Sequence, residues 1–415
     1  MEYKSDRFNN VWEDILQIWF SGYLDIITSE RRNQISPQSH LKKIKIITTE
    51  FVKDVFKIFI KNKIPKKKVW FFSISSNNHE ALKLIKNNID NAIFVVPYSF
   101  KLKFKDSYPL NFNYKFFYDL LFLFKLFFFK PKNHIKKKEC YDLLFKANGV
   151  FTESIRCIKK NKPKGIVFAN DHEIVPRGLL LAAKFLEIPT FYIQHASVSK
   201  YFPALDFDYA LLEGQDSKDK YLGIGKTNSE VHLVGMPKFD NYINHVNTNK
   251  VIKKIGVAYN AMDDVETVID LVNNLKHSFP AITFVVRAHP SDKRELKLSG
   301  VKKSLSKKES AFSFLKQIDA LIAAESSIHL EAVMLNVYSM SFSFNKSSFL
   351  DYYDFVKNDL IKHFNQIDDL KTEISNICLN KPNIQQRATY YNASLNSVFY
   401  GKSVKKICEI IKSKV

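Results

Sequence analysis

Short runs of β-branched and aromatic residues alternate along the chain with longer stretches whose apolar positions recur every three to four residues, the two periods that separate strand from helix. KIKIITT, from about residue 42, reads as the first strand; KVWFFSI follows, then NNHEALKLIKNN with helical spacing, then AIFVVPY. After an interruption rich in Lys and Phe, the alternation resumes with GIVFAN (165–170), a helix over about 174–187, PTFYIQ, YALLEG (209–214) and VHLVG (231–235). A polar stretch, NYINHVNTNK (241–250), precedes a new start at KKIGVAYN. The same order then returns: a helix over about 263–277, ITFVVRA, a helix near 309–316, DALIAA (319–324), a helix from about 327 and VYSMSF. Such alternation implies parallel sheets with helices on both faces. The expected fold class is α/β, two Rossmann-like domains with parallel sheets facing across a cleft. A helical lead-in over 1–40 comes first, then an N-terminal domain over 41–248 and a C-terminal domain over 249–415. A length of 415 residues agrees, because it exceeds what one hydrophobic core usually organises.

Charge changes the picture for the first third. The net charge of +21 is unevenly placed: 41–68 holds ten Lys against Glu50 and Asp54, and 101–138 holds ten Lys against Asp106 and Asp119, so each segment supplies +8. A basic surface of this kind suits nucleic acid, an anionic membrane or an acidic polymer. Nucleic acid is disfavoured, since zinc-finger spacing, an RNP-like run and an Arg-rich recognition helix are all missing. The run FFYDLLFLFKLFFFKPKNHIKKK (116–138) is broken by Asp119 and Lys125 before it reaches the roughly 20 apolar residues that span a bilayer. It reads as a core helix, or as an interfacial helix with aromatics at the headgroups and lysines on anionic lipid. FVKDVFKIFIKNKIPKKK (51–68) places Phe51, Val55, Phe56 and Phe59 on one helical face and adds a second basic edge. The start MEYKSDRFNNVWEDIL lacks the apolar core of a secretory signal, and Cys140, Cys157, Cys378 and Cys408 form no CxxC pair. A cytoplasmic protein with reduced thiols is expected, peripheral at the inner face of the membrane if the basic segments bind lipid.

In open parallel sheets ligands bind beyond the carboxyl ends of the strands. Four polar clusters fall at such ends: Asp171-His172-Glu173 after GIVFAN, Gln194-His195 after PTFYIQ, Arg287-Ala288-His289-Pro290 after ITFVV, and Glu325-Ser326-Ser327 after DALIAA. Ser326 and Ser327 open a helix, where Ser is a common cap. Neither has Glu or Gln three residues on, so a capping box is absent and phosphate binding is open to them. Glu331, one turn later, could face the same ligand and accept from ribose hydroxyls. Beside Arg287, and with Pro290 fixing the exit from the strand, His289 suits a donor that offsets charge on a leaving phosphate. Asp171 and Glu173 stand where a general base or nucleophile is wanted, or serve as helix caps. His195 orients a substrate or is a buried structural histidine. No metal is implied by a carboxylate pair or His cluster. GIGKT (223–227) is not a P-loop, because Lys220 occupies the position that needs Gly.

RAHP, then ESSIHLEA about 35 residues later, preceded by NDHE, IQHA and VGMPKFD, resembles bacterial GT-B glycosyltransferases that build capsule, lipooligosaccharide or O-antigen, nearest those using CMP-activated acidic sugars, the sialyl- and Kdo-transferases. The resemblance runs from about 165 to 356. It implies a nucleotide-sugar donor, with no other cofactor, and a glycan or lipid-linked glycan acceptor. It assigns the donor phosphate to His289, Ser326 and Ser327, with Arg287, Pro290 and Glu331 beside them, and acceptor chemistry to Asp171 or Glu173, with His195 near. The sequence departs from the polysialyltransferase pattern in having no Glu/Asp-Asp-Gly run. It departs from teichoic-acid polymerases, which use CDP-glycerol or CDP-ribitol, in having His195-Ala196 where they have His-Gly. A polyol-phosphate transferase and a non-catalytic membrane- or polysaccharide-binding protein on the same fold are the alternatives.

Overall fold

The computed structural model describes residues 11–27, 29–61, 63–128, 139–199, 202–294, 296–345 and 349–415. Two compact units result. The first comprises Met1–Leu212, Lys218–Leu233 and Val404–Val415, and the second comprises Glu213–Ser217 and Val234–Ser403.

The first unit is built on a seven-stranded parallel sheet in the order β3-β2-β1-β4-β5-β6-β7. Its strands are β1 (Val69–Phe72), β2 (Ala92–Pro97), β3 (Ser107–Leu110), β4 (Gly165–Phe168), β5 (Thr190–Ile193), β6 (Tyr209–Leu212) and β7 (Glu230–Leu233). VWFF, GIVF and TFYI are buried at every position, as continuous apolar runs are when helices cover both faces of a parallel sheet. β3 carries Pro109 and lies at an edge, where a missing N–H costs the ladder least. Trp70, Phe72, Phe168, Tyr192 and Phe207 centre the core.

KIKIITT is not a strand. It lies inside the helix His40–Phe56 (α3), which follows α1 (Val11–Ile15) and α2 (Ser29–Ile35). Its β-branched residues favour a strand, but the positions it buries, Lys43, Ile47 and Asp54, recur with helical spacing. Residues within 11–35 pack with Cys140, Leu143, Leu144, Ala147 and Leu181 in a satellite core, which gives the lead-in its partner. The chain continues through α4 (Ser76–Lys86), α5 (Lys115–Phe128), α6 (Tyr141–Ala147), α7 (Val150–Asn161) and α8 (Ile174–Phe185). The Lys cluster at 130–138 lies outside the described residues.

The second unit has a six-stranded parallel sheet in the order β10-β9-β8-β11-β12-β13. Its strands are β8 (Lys254–Tyr259), β9 (Thr283–Ala288), β10 (Lys302–Ser304), β11 (Ala320–Ala323), β12 (Tyr338–Phe342) and β13 (Lys362–Phe364). Helices α9 (Val265–Ser278), α10 (Ala311–Leu315), α11 (Ile328–Met334) and α12 (Ile367–Ile377) accompany them. A last helix, α13 (Ser403–Lys412), puts its residues from 404 onward into the first unit. The polar stretch 241–250 is stitched to the second unit: Asn247 and Asn249 both donate through Nδ2 to Asp319, at 3.0 and 2.8 Å, and Asn336 donates to the Asn247 carbonyl at 2.7 Å.

Candidate functional site

In the second unit the strand order reverses between β8 and β11, so the crevice beyond their carboxyl ends is the place where such a sheet binds ligands. β9 flanks β8 on the other side. The register pairs Tyr259 with Ala288, and Ala258 with both Arg287 and Ala323. The His289 loop and the twin-serine loop therefore leave the sheet at the same level. Being two strands apart, they are separated by about 10 Å at the sheet, room for a phosphate between them.

His289 is anchored by its backbone, whose N–H donates to the Tyr259 carbonyl at 2.8 Å, while its ring is exposed. The Ser291 N–H donates to His289 Nδ1 at 3.2 Å, and the Ser291 hydroxyl stands 2.7 Å from the same nitrogen. Nδ1 thus acts as an acceptor, which puts the proton of the neutral ring on Nε2 and leaves that N–H for a ligand. Desolvation lowers the ring's pKa, with Asp292 opposing and Arg287 adding to the shift, so the neutral form is held at pH 7. The loop behind it is fixed by Arg294, which binds Asp292 at 2.8 Å and the carbonyls of Asp263 and Asn260 at 2.9 and 2.7 Å.

Arg287 is directed elsewhere. Its guanidinium donates to Ser304 Oγ at 2.6 Å and to the Glu309 carbonyl at 2.9 Å, and lies 5.3 Å over the Phe314 ring. It ties β9 to β10 and to the start of α10 in place of presenting a free fork. Pro290 follows His289 at the exposed bend.

Ser326 and Ser327 are half-buried at the start of α11. Ser326 Oγ accepts from the Ile328 N–H at a long 3.4 Å, and Ser327, in the cap position, makes no side-chain cap bond. Their hydroxyls keep capacity for a ligand. His329 braces this turn from beneath. Its Nε2 meets the Ala324 carbonyl at 2.8 Å and its Nδ1 meets Ser339 Oγ at 2.7 Å, and burial drives its pKa down to about 4. Glu331 is buried and receives a hydrogen bond from Lys238 Nζ. Lys238 also feels Glu213, whose carboxyl is pushed up to about 8 by burial, with Lys238 opposing and Glu331 reinforcing the shift. Glu213 is therefore the neutral acid of the three, and Lys238 pairs with Glu331. Glu213 and Lys238 were missed as site residues by sequence reasoning, although Lys238 lies within VGMPKFD.

In the first unit the order reverses between β1 and β4, and the register aligns Phe72 with Phe168 and Phe168 with Tyr192. Asp171 is buried, with neither oxygen hydrogen-bonded; His172 Nδ1 stands at 3.6 Å and an Arg177 nitrogen at 3.8 Å. Arg177 also reaches the Asp14 carbonyl and Gln17, so Asp171 belongs to the packing between α8 and the lead-in. Glu173 sits at the cap position of α8 without making a cap bond, and burial raises its pKa against the pull of His172, Arg31 and Lys146. His195 Nε2 lies 3.0 Å from Asn78 Nδ2, a partner from the first turn of α4 that the sequence did not single out. Among the described residues no group of three or more His, Cys, Asp or Glu side chains could hold a metal ion.

No protein-family model matches the chain, and no curated protein sequence matches it. Solved structures do. A putative UDP-N-acetylglucosamine 2-epimerase from Listeria monocytogenes aligns with a TM-score of 0.55 and 12% identity, covering 84% of this chain and 96% of that one. The Neisseria meningitidis UDP-GlcNAc 2-epimerase bound to UDP-GlcNAc gives 0.52 and 11%, over 83% and 100%. The glycotransferase of kitacinnamycin gives 0.54 and 11%, over 84% and 99%. With these likenesses and its two parallel α/β sheets, the chain has the GT-B fold of two Rossmann-like units.

Proposed function

We propose that the protein is a glycosyltransferase that moves a sugar from a nucleotide donor to a glycan of the bacterial surface, capsule, lipooligosaccharide or O-antigen, with CMP-sialic acid or CMP-Kdo as the preferred donor. The observation that carries the reading is the common level of the His289 loop and the Ser326-Ser327 turn, on either side of β8 at the reversal of the second sheet. The named proteins of like fold act on or bind UDP-sugars or are called glycotransferases, which supports a nucleotide-sugar ligand. The resemblance of RAHP and ESSIHLEA to CMP-sugar enzymes supports the choice among donors.

In this reading the bond from the anomeric carbon to the phosphate oxygen breaks while the acceptor oxygen bonds to that carbon. Charge gathers on the departing phosphate, where His289 Nε2–H and the two serine hydroxyls donate. The acceptor's proton passes to a general base, the part the sequence resemblance gives to Asp171 or Glu173; burial raises the pKa of Glu173 and so makes it the stronger base. Glu331, fixed by Lys238, accepts from a ribose hydroxyl.

The test is nucleotide release from CMP-sialic acid, CMP-Kdo, UDP-GlcNAc and CDP-glycerol, each supplied alone and with glycan acceptor. Acceptor-stimulated CMP release is expected. Turnover of CDP-glycerol alone would make the protein a polyol-phosphate transferase, and turnover of UDP-GlcNAc alone would reject the donor assignment. His289→Ala is expected to cut turnover by about 10²–10³ without altering thermal melting. Equal turnover in that variant removes His289 from the chemistry.

A further inference from the structure

Two helices of the first unit bury charged side chains while exposing large apolar ones. In α5 the fully buried positions are Lys115, 6% exposed, and Asp119, 0% exposed, with Phe122 packed beside them against Phe145. Phe117, Leu120, Leu121 and Phe124 face outward, with Phe117 at 52% and Phe124 at 68% exposure. Lys115 Nζ binds Asp119 at 2.8 Å and Asp54 of α3 at 3.1 Å, so a buried ion network joins the two helices. α3 repeats the arrangement. Lys43, Ile47 and Asp54 are buried, whereas Leu41, Ile44, Val52 and Phe56 are exposed, and Phe59 just beyond is 79% exposed. Asn113, two residues before α5, donates to the carbonyls of Lys57 and Ile60 at 2.7 and 2.6 Å, tying the approach to α5 to the chain leaving α3.

At 100° per residue the outward apolar stripe of α3 borders a second stripe containing Lys42, Lys45, Thr49 and Lys53. These residues, with Glu50, line a shallow hollow of about 450 Å³, and Lys53 pairs there with Glu50 at 3.0 Å. Apolar side chains ringed by lysines are what the headgroup boundary of an anionic bilayer accepts: the rings enter the acyl edge while the ammonium groups meet lipid phosphate. A second copy of the chain is a poorer occupant, because it would bring the same +8 of residues 41–68 against itself. Crossing the bilayer is not in question; among the described residues no helix is long and apolar enough.

We infer that the face formed by α3 and the first half of α5 docks on an anionic lipid bilayer, lying in its interface. This deepens the transfer reading by giving a lipid-linked acceptor its meeting place, and it stands if that reading fails, since donor chemistry takes no part in it.

Sedimentation of the whole chain with vesicles of phosphatidylcholine alone, or with about a third phosphatidylglycerol, tests the proposal. Binding to the anionic vesicles alone is expected, weakened by salt. Each lysine at the surface contributes on the order of fivefold in affinity, so Lys45→Glu with Lys53→Glu should lower binding by well over tenfold. Phe56→Ser, Phe59→Ser, Phe117→Ser and Phe124→Ser together should abolish it, with melting temperature and hydrolysis of soluble donor unchanged. Equal binding to both vesicle types, no binding to either, or full binding by the phenylalanine variant overturns the proposal. So does concentration-dependent dimerisation that the same four substitutions remove, which would make the face a contact between copies.

Discussion

Two buried side chains of the second unit respond to pH in opposite directions. His329 has its folded pKa lowered to about 4 by burial, below its unfolded value of 6.5. Between those values the unfolded chain takes a proton that the folded one refuses. The stability is present above about 6.5 and drains away toward 4, by roughly 3 kcal/mol. Glu213 is the reverse: its folded pKa is raised to about 8, so stability present below about 4.5 is lost as pH rises toward 8. Urea midpoints measured from pH 4 to 9 should show both slopes. His329→Gln should flatten the acid side and Glu213→Gln the alkaline side; a variant that keeps the wild-type slope would refute its assignment. At this scale the sequence was legible in part. The placing of His289 and the serines just beyond strand ends was legible because strand ends followed by polar residues are visible in one dimension. The engagement of Arg287 with Ser304 and Glu309, and the burial of Asp171, depend on partners distant in the sequence that no local pattern announces.

Among elements, the strands flanking each reversal were legible, because continuous apolar runs such as GIVFAN and DALIAA mark strands covered on both faces. The edge strands β3, β10 and β13 were not, for they are short, and KKS and KHF lack an apolar run. KIKIITT misled because intrinsic strand preference yielded to the packing of a 17-residue helix. The ion network between α3 and α5 carries its own prediction. Lys115→Met leaves Asp54 and Asp119 buried without their shared cation, and should cost about 3–5 kcal/mol, read as a drop of several degrees in melting temperature. An unaltered melting temperature would mean the two carboxylates are solvated. Asp119, whose pKa burial already raises to about 6 against the pull of Lys115, would be the group to protonate in the variant.

At the scale of the molecule, two sheets with helices between strands were legible from alternation alone, as was the need for two cores. The membership of α13 was not, because its amphipathic pattern names no partner. Ile407 and Ile411 are buried, Cys408 Sγ lies 3.8 Å from the Ile85 carbonyl, and Val415 packs where a Gly165 side chain would otherwise sit. Removing 404–415 should therefore lower the melting transition of the first unit and leave the second unit's transition in place, by calorimetry; equal loss of both transitions would show that the two units do not melt separately. During translation, the same arrangement makes the first unit wait. Its sheet is synthesised by residue 233, yet its closing helix leaves the ribosome only after the entire second unit, so the places it covers, around Ile85 and Gly165, stay open until the chain is nearly complete.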